Sequence, residues 1–113
     1  MAAVAIMRMQ TLFEKEVERN HSRLARSVGW FVEKIMRTAR GGFPDRFYAR
    51  SHPKDQCPFC NRGRVVLIEW KRFGKTAEPQ QLLRHKQLRE AGVEVYVVDN
   101  TAEANRILGI GNR

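Results

Sequence analysis

The chain has 113 residues, of which 21 are lysine or arginine and 12 are aspartate or glutamate, so its formal net charge is +9. This length accommodates a single domain over residues 1–113, and no apolar run reaches the ~18 residues of a membrane span. Arginine outnumbers lysine 15 to 6, and a guanidinium group binds phosphate oxygens bidentately. The composition therefore indicates a soluble, cytoplasmic protein with nucleic acid as its partner. A basic surface that serves solubility alone is the alternative.

Hydrophobic periodicity predicts seven elements in the order α-β-β-β-α-β-α. They are a helix over 9–28, strands over 30–36, 43–50 and 64–71, a helix over 78–91, a strand over 93–98 and a helix over 101–108. Gly29 and Gly92 are placed to end the first two helices, and Thr101 is predicted as the N-cap of the last. The four consecutive apolar residues 65–68 predict a central strand. These elements fit an α/β fold with one mixed four-stranded sheet flanked by helices.

Charged residues mark the end of the predicted central strand. Glu69 and Lys71 share one strand face because side chains alternate, and antiparallel pairing with the preceding strand would bring Asp45 beside Glu69. Two adjacent carboxylates offer the hard oxygen ligands of a Mg²⁺ or Mn²⁺ site. The alternatives are a surface salt bridge between Glu69 and Lys71 and an ordinary turn position for Asp45.

These residues resemble the motifs of the PD-(D/E)XK nuclease superfamily, and more narrowly those of the VRR-NUC (virus-type replication-repair nuclease) domain in its small standalone phage form. The similarity covers nearly the whole chain and rests on five motifs in order. They are Glu18 eleven residues before Gly29, Gly29-Trp30 followed by Lys34, Gly42-Phe43-Pro44-Asp45-Arg46, Ile68-Glu69-Trp70-Lys71, and Gln81 eleven residues before Gly92.

The resemblance implies a restriction-endonuclease-like core and a Mg²⁺- or Mn²⁺-dependent DNA endonuclease that leaves 5′-phosphate and 3′-hydroxyl ends. It also implies that Asp45 and Glu69 bind the metal together with the backbone carbonyl of Trp70. Lys71 would then orient or activate the attacking water and steady charge on the phosphate. The phage form is associated with homodimers and with branched DNA such as Holliday junctions.

Further residues complete the implied site. Glu18 would reach a second metal or a metal-bound water, and Gln81 would face the site from its helix. Exposed helix positions are the alternative for both, and Gln80 competes with Gln81. Basic residues near the site are candidates for contacts with the DNA backbone, with solubilising charge as the alternative for each: Arg40, Arg46, Arg62, Arg64, Arg72 and Lys75.

A hairpin insertion over residues 51–63 contains both cysteines. Cys57 and Cys60 form a C-x-x-C pair, which in an intracellular chain indicates metal or redox chemistry more than a structural disulfide. A structural Zn²⁺ would take His52 as its third ligand, with Asp55 or a partner subunit supplying the fourth. Two free thiols are the alternative. A non-catalytic nucleic-acid-binding module held together by this zinc is the second functional hypothesis, and an RNA-directed nuclease is a third.

Three aromatic residues have predicted structural roles. His21 lies among arginines on the first helix and is expected to face solvent. His85 follows Gln81 by one helical turn and is expected to be partly buried and hydrogen-bonded. Trp70 lies on the opposite face of the strand from Glu69 and is expected to anchor the sheet to a helix.

Overall fold

The computed structural model describes the backbone of residues 2–36, 41–51 and 63–111, and within these ranges the side chains from residue 15 onward. The elements are α1 (Ala2–Ser27), β1 (Phe31–Lys34), β2 (Arg46–Arg50), β3 (Arg64–Trp70), α2 (Pro79–Glu90), β4 (Glu94–Val98) and α3 (Thr101–Leu108). The predicted order of elements is confirmed. In the described part of the chain, every helix is too short or too polar to cross a membrane.

The four strands form one mixed sheet in the order β1-β2-β3-β4. The first two pairings are antiparallel, whereas β3 and β4 run parallel and are connected through α2, as a parallel pair requires. Arg46 lies opposite Ile68 in the register of β2 and β3. This register brings the residue before β2 next to Glu69, and it makes β3 central, as its apolar sequence predicts.

The hydrophobic core lies between the sheet and the helices α1 and α3. Tyr48, Val66, Ile68 and Trp70 project from neighbouring strands and are buried in this core. The indole Nε1 of Trp70 donates a hydrogen bond of 3.1 Å to the Tyr48 hydroxyl, and its ring centroid lies 5.0 Å from that of His21 on α1. Trp70 therefore anchors the sheet to a helix, as predicted.

The helix α1 meets the sheet through a face that is more polar than its apolar pattern suggests. From residue 15 onward, its buried positions are Glu18, His21, Ser22 and Ala25, whereas the apolar residues Val17, Leu24 and Val28, which recur at helical spacing, are only partly buried. The prediction that His21 faces solvent is wrong, since it is only 2% exposed. Its Nε2 donates a 2.9 Å hydrogen bond to Oδ1 of Asn105 on α3. Burial of an imidazole is acceptable where another element supplies such a partner.

The ends of several elements differ from the sequence prediction. The helix α1 begins seven residues earlier than predicted, and β1 and β2 are shorter than predicted. Asn100 is the N-cap of α3 rather than Thr101, because its Oδ1 accepts a 2.8 Å hydrogen bond from the backbone N–H of Glu103. Ahead of β2, the carbonyl of Asp45 accepts a 2.7 Å bond from the N–H of Ile35. Asp45 is thus held in place although it precedes the strand.

Candidate active site

Two backbone N–H groups hold the side chains of Asp45 and Glu69 next to each other. The backbone N–H of Asp45 donates to Oε2 of Glu69 at 3.2 Å, and the backbone N–H of Trp70 donates to Oδ1 of Asp45 at 3.2 Å. Glu69 is only 5% exposed. The Glu69 carboxylate is therefore held by the segment that carries Asp45, and the Asp45 carboxylate by the end of β3. The structure brings together the two acidic residues that the sequence placed at one site.

Lys71 and Gln81 both reach Glu69. The Lys71 ammonium lies 3.7 Å from Oε1 of Glu69, and the side-chain amide Nε2 of Gln81 donates a hydrogen bond to the same oxygen. The other end of the Gln81 amide, Oε1, accepts a 3.0 Å bond from the backbone N–H of Glu78, the N-cap of α2. The start of α2 thus orients Gln81, and Gln81 in turn orients the Glu69 carboxylate.

Glu18 enters the site region from α1, where it forms a buried ion pair with Arg46. Both donors of the Arg46 fork contact the same oxygen: Nε lies 3.0 Å and Nη2 lies 2.8 Å from Oε1 of Glu18. Arg46 is 9% exposed and Glu18 is 6% exposed. The prediction that Arg46 contacts the DNA backbone is corrected, because its guanidinium is buried and bound to a carboxylate of the same chain.

Burial and nearby carboxylates raise the pKa of Asp45 and of Glu69. Burial raises the pKa of Asp45 to about 8, and the charges of Glu18 and Glu69 contribute to that increase, whereas the Trp70 N–H and Arg46 oppose it. Burial also raises the pKa of Glu69, and the nearby Lys71 ammonium is the main opposing influence. The site therefore holds more negative charge than its own side-chain cations balance, and an added cation would relieve this crowding.

An open cleft with a volume of about 330 Å³ lies against the two carboxylates. It is lined by Lys34, Ile35, Met36, Gly41, Gly42, Phe43, Asp45 and Glu69. Gly42 has a positive φ of 71°, and a Cβ atom there would lie 2.9 Å from the carbonyl oxygen of Gln80. Only glycine therefore fits where this loop packs against the start of α2.

Lys34 is a residue that the predicted site omitted, although the family resemblance included it. It lines the same cleft as Asp45 and Glu69, because its partner in the register of β1 and β2 is Arg46, the residue directly after Asp45. Pairing of the first two strands is the signal that could have found it. Sequence spacing alone separates Lys34 from Asp45 by the glycine-containing loop.

The remaining candidates lie elsewhere or outside the described residues. Arg64 bonds Glu94 at the opposite end of the sheet, through Nε at 2.9 Å and Nη2 at 2.8 Å. Lys75 is exposed and Arg72 is half-buried. The predicted zinc ligands and two predicted DNA contacts fall outside the described ranges: His52, Asp55, Cys57, Cys60, Arg40 and Arg62.

His85 differs from its prediction as a partly buried, hydrogen-bonded residue. It is completely buried on α2, and neither ring nitrogen has a hydrogen-bond partner among the residues that the structure describes. Burial lowers its pKa, and the charges of Arg89 and Lys71 act in the same direction. The ring is thus held neutral and fills space beneath α2.

The donor set at Asp45 and Glu69 has the chemistry of a hard divalent cation site. Its oxygens come from two carboxylates, one just before β2 and one near the carboxyl end of β3. Within the described ranges, no group of three or more His, Cys, Asp or Glu side chains is arranged around one metal position. Two carboxylates fit an ion such as Mg²⁺, which keeps several water ligands and needs few from the protein.

Comparison with known proteins identifies the fold. No protein-family model matches the sequence, and no curated protein matches it significantly. One solved structure described as a VRR_NUC domain matches with a TM-score of 0.66 over 85% of this chain and 94% of that chain, at 23% sequence identity. An identity this low concerns the fold alone. The chain therefore has the fold of a VRR_NUC domain, the mixed α/β architecture that its sequence motifs resemble.

Proposed function

We propose that the protein is a metal-dependent endonuclease that hydrolyses phosphodiester bonds in DNA, with Asp45 and Glu69 at its catalytic centre. The observation that carries the proposal is that these two carboxylates accept hydrogen bonds from the backbone N–H groups of Asp45 and Trp70, beside the Lys71 ammonium and at an open cleft. The fold supports it, because the structure with the same architecture is described as a VRR_NUC domain.

Asp45 and Glu69 would hold Mg²⁺ or Mn²⁺, together with the Trp70 carbonyl and water. When bound, such an ion polarises a phosphoryl oxygen and lowers the pKa of water. Lys71 places a compact positive charge next to the same carboxylate, where it can orient the attacking water and stabilise charge that develops on the phosphate. Gln81 keeps the Glu69 carboxylate in one orientation by bonding Oε1.

The substrate class follows from charge. A net charge of +9 favours a polyanion, and Lys34 supplies a cation in the cleft itself. From the family resemblance we further propose branched DNA, such as a Holliday junction, as the substrate. The enzyme would act as a homodimer, in the cytoplasm. A two-fold axis would suit it, because two symmetric cuts on a four-way junction need two sites related by such an axis.

The test is cleavage of labelled DNA by the purified full chain. A plasmid, a linear duplex and a four-way junction are incubated with Mg²⁺, with Mn²⁺ or with EDTA. We expect cutting only with a divalent ion, products with 5′-phosphate ends, and faster cutting of the junction than of the linear duplex. Glu69→Ala should abolish cutting while leaving the dissociation constant for DNA within about threefold.

Glu94→Ala is the matched control, because Glu94 is also a strand glutamate bound to a basic side chain, but at the opposite end of the sheet. It should cut like the unaltered chain. Cutting that survives Glu69→Ala would refute the site. DNA binding with no cutting under any ion would favour the non-catalytic binding module instead, and a preference for an RNA duplex would change the substrate class.

A further inference from the structure

The ion pair between Arg46 and Glu18 has an unusual geometry for a guanidinium and a carboxylate. Both Arg46 donors converge on Oε1 of Glu18, so the pair is not the two-oxygen fork that arginine usually forms with a carboxylate. In contrast, Arg64 at the other end of the sheet places its two donors on the two different oxygens of Glu94. Arg46 therefore holds Glu18 firmly while using only one of its oxygens.

Arg46 is also placed to act on the neighbouring carboxylates. It follows Asp45 directly in the chain, and its charge favours the ionised form of Asp45. Its guanidinium is nine-tenths buried, so water screens its charge poorly. Three carboxylates thus share two side-chain cations, since Lys71 lies beside Glu69 and Arg46 beside Glu18. When all three carboxylates are ionised, the excess is one negative charge.

That charge balance bears on how many metal ions the site can take. A second divalent ion near Glu18 would have to displace the buried Arg46 guanidinium or lie next to it. The positive charges of the ion and the guanidinium would then repel each other strongly, because water is excluded there. One ion bound by Asp45 and Glu69, by contrast, reverses the excess charge and leaves the site ready for an anionic phosphodiester.

We propose that Arg46 takes the place of a second metal ion, so that each chain binds one divalent cation, at Asp45 and Glu69. The inference rests on the proposed function, because it concerns the same metal site. Arg46 is a positioning residue here: it fixes Glu18 on α1 against β2 and neutralises it. Glu18 then needs no metal of its own.

The experiment counts bound ions without relying on activity. Metal-free protein is titrated with Mn²⁺, and free Mn²⁺ is followed by electron paramagnetic resonance; only ions that Glu69→Ala or Glu18→Ala removes are counted. We expect one ion per unaltered chain. Arg46→Gln should bind two, because Glu18 then lacks its cation, and the charge-neutral double variant Glu18→Gln/Arg46→Gln should return to one.

Two variants keep the test decisive. Arg46→Lys retains the positive charge and should bind one ion; a second ion in this variant would contradict the inference even if Arg46→Gln does not fold. Arg64→Gln removes an arginine of the same kind from the Glu94 pair and should also bind one. Two ions in the unaltered chain would overturn the inference, as would a single ion in folded Arg46→Gln.

The outcomes separate this inference from the function it rests on. If the unaltered chain binds no ion through Glu69 and cuts no DNA, the proposed nuclease function fails. If it cuts DNA and binds two such ions, the nuclease function stands and only the role of Arg46 is wrong. One ion together with cutting, and a second ion gained in Arg46→Gln, support both.

Discussion

The two ends of the central strand β3 differ in how their acidic side chains are paired with basic ones. At the carboxyl end, Glu69 lies beside Asp45, and burial raises the pKa of both. At the amino end, Arg64 lies beside Glu94, and the two hydrogen bonds from Arg64 lower the pKa of that carboxyl. The first end crowds carboxylates, whereas the second pairs each charge with its opposite.

The difference separates function from stability. A carboxylate that is half-exposed and bonded to a guanidinium costs little and contributes little. Buried carboxylates in excess of their cations cost folding free energy, and such clusters persist where a ligand will balance them. Under the proposed function, the end of β3 at Asp45 and Glu69 would take a cation and a phosphate, whereas the end at Arg64 and Glu94 contributes to the fold.

The largest expected effect comes from breaking the crowded end. Asp45→Asn keeps the shape of the side chain and its acceptor for the Trp70 N–H, but it removes the charge that the proposed function assigns to metal binding. We expect the cleavage rate to fall on the order of 10³-fold, which corresponds to several kcal/mol of lost transition-state stabilisation. Single-turnover cleavage of a labelled junction measures it.

The same variant should be more stable than the unaltered chain when metal is absent and the pH is 8.5. The neutral amide no longer repels Glu18 and Glu69, so a higher melting temperature in EDTA is expected. A variant that loses both cleavage and stability would mean that Asp45 serves the fold rather than the site.

The next effect concerns the buried ion pair. Arg46→Gln leaves the Glu18 carboxylate buried without its partner, and breaking such a pair costs about 3–5 kcal/mol. Glu18→Gln/Arg46→Gln replaces the pair by two amides and should recover most of that loss. Urea denaturation at pH 7.5 in EDTA gives both free energies of unfolding. Equal stability of the single and double variants would contradict a charge origin for the loss.

The free energy of unfolding should depend on pH through the raised pKa of Asp45. The pKa of Asp45 is about 8 in the folded chain and 3.8 in its ordinary state, so the folded chain keeps a proton that the unfolded chain has lost. Stability in EDTA should therefore fall as the pH rises between these two values, by up to about 1.4 kcal/mol per pH unit. Urea denaturation between pH 6 and 8 measures the slope, and Asp45→Asn should flatten it. Stability that increases with pH over this range would show that the pKa of Asp45 is not raised in the folded chain.

Residues close in sequence or on paired strands were the predictable part of this site. The apolar run at 65–68 identified β3, and antiparallel pairing was enough to place Asp45 beside Glu69. Gln81 followed from its position at a helix start and from the family resemblance. These predictions succeed because strand alternation and helical periodicity fix which residues share a face.

The face that α1 turns to the sheet could not be predicted in the same way. Glu18 is buried because it pairs with Arg46, which lies 28 residues further along the chain. His21 is buried because it bonds Asn105, which lies 84 residues further along. Hydrophobic periodicity treats both as surface residues, since it contains no information about partners from other elements. The polar contacts that dock α1 therefore become visible only in three dimensions.

The smallest expected effect comes from the paired end. The side chains of Arg64 and Glu94 are 37% and 36% exposed, so water and salt screen their attraction, and Arg64→Gln should cost no more than about 1 kcal/mol. Its pH signature should oppose that of Asp45. The lowered pKa of Glu94 means that this contribution is present at neutral pH and is lost as the pH falls below the ordinary value of 4.5.

Urea denaturation of Arg64→Gln and the unaltered chain at pH 7 and pH 4, in low and high salt, measures this difference. It should shrink at the lower pH and at the higher salt concentration. Arg46→Gln should show little salt dependence, because its pair is buried. If salt weakens the Arg46–Glu18 pair as much as the Arg64–Glu94 pair, burial does not protect the first pair from screening. The raised pKa of Asp45 would then need a cause other than burial.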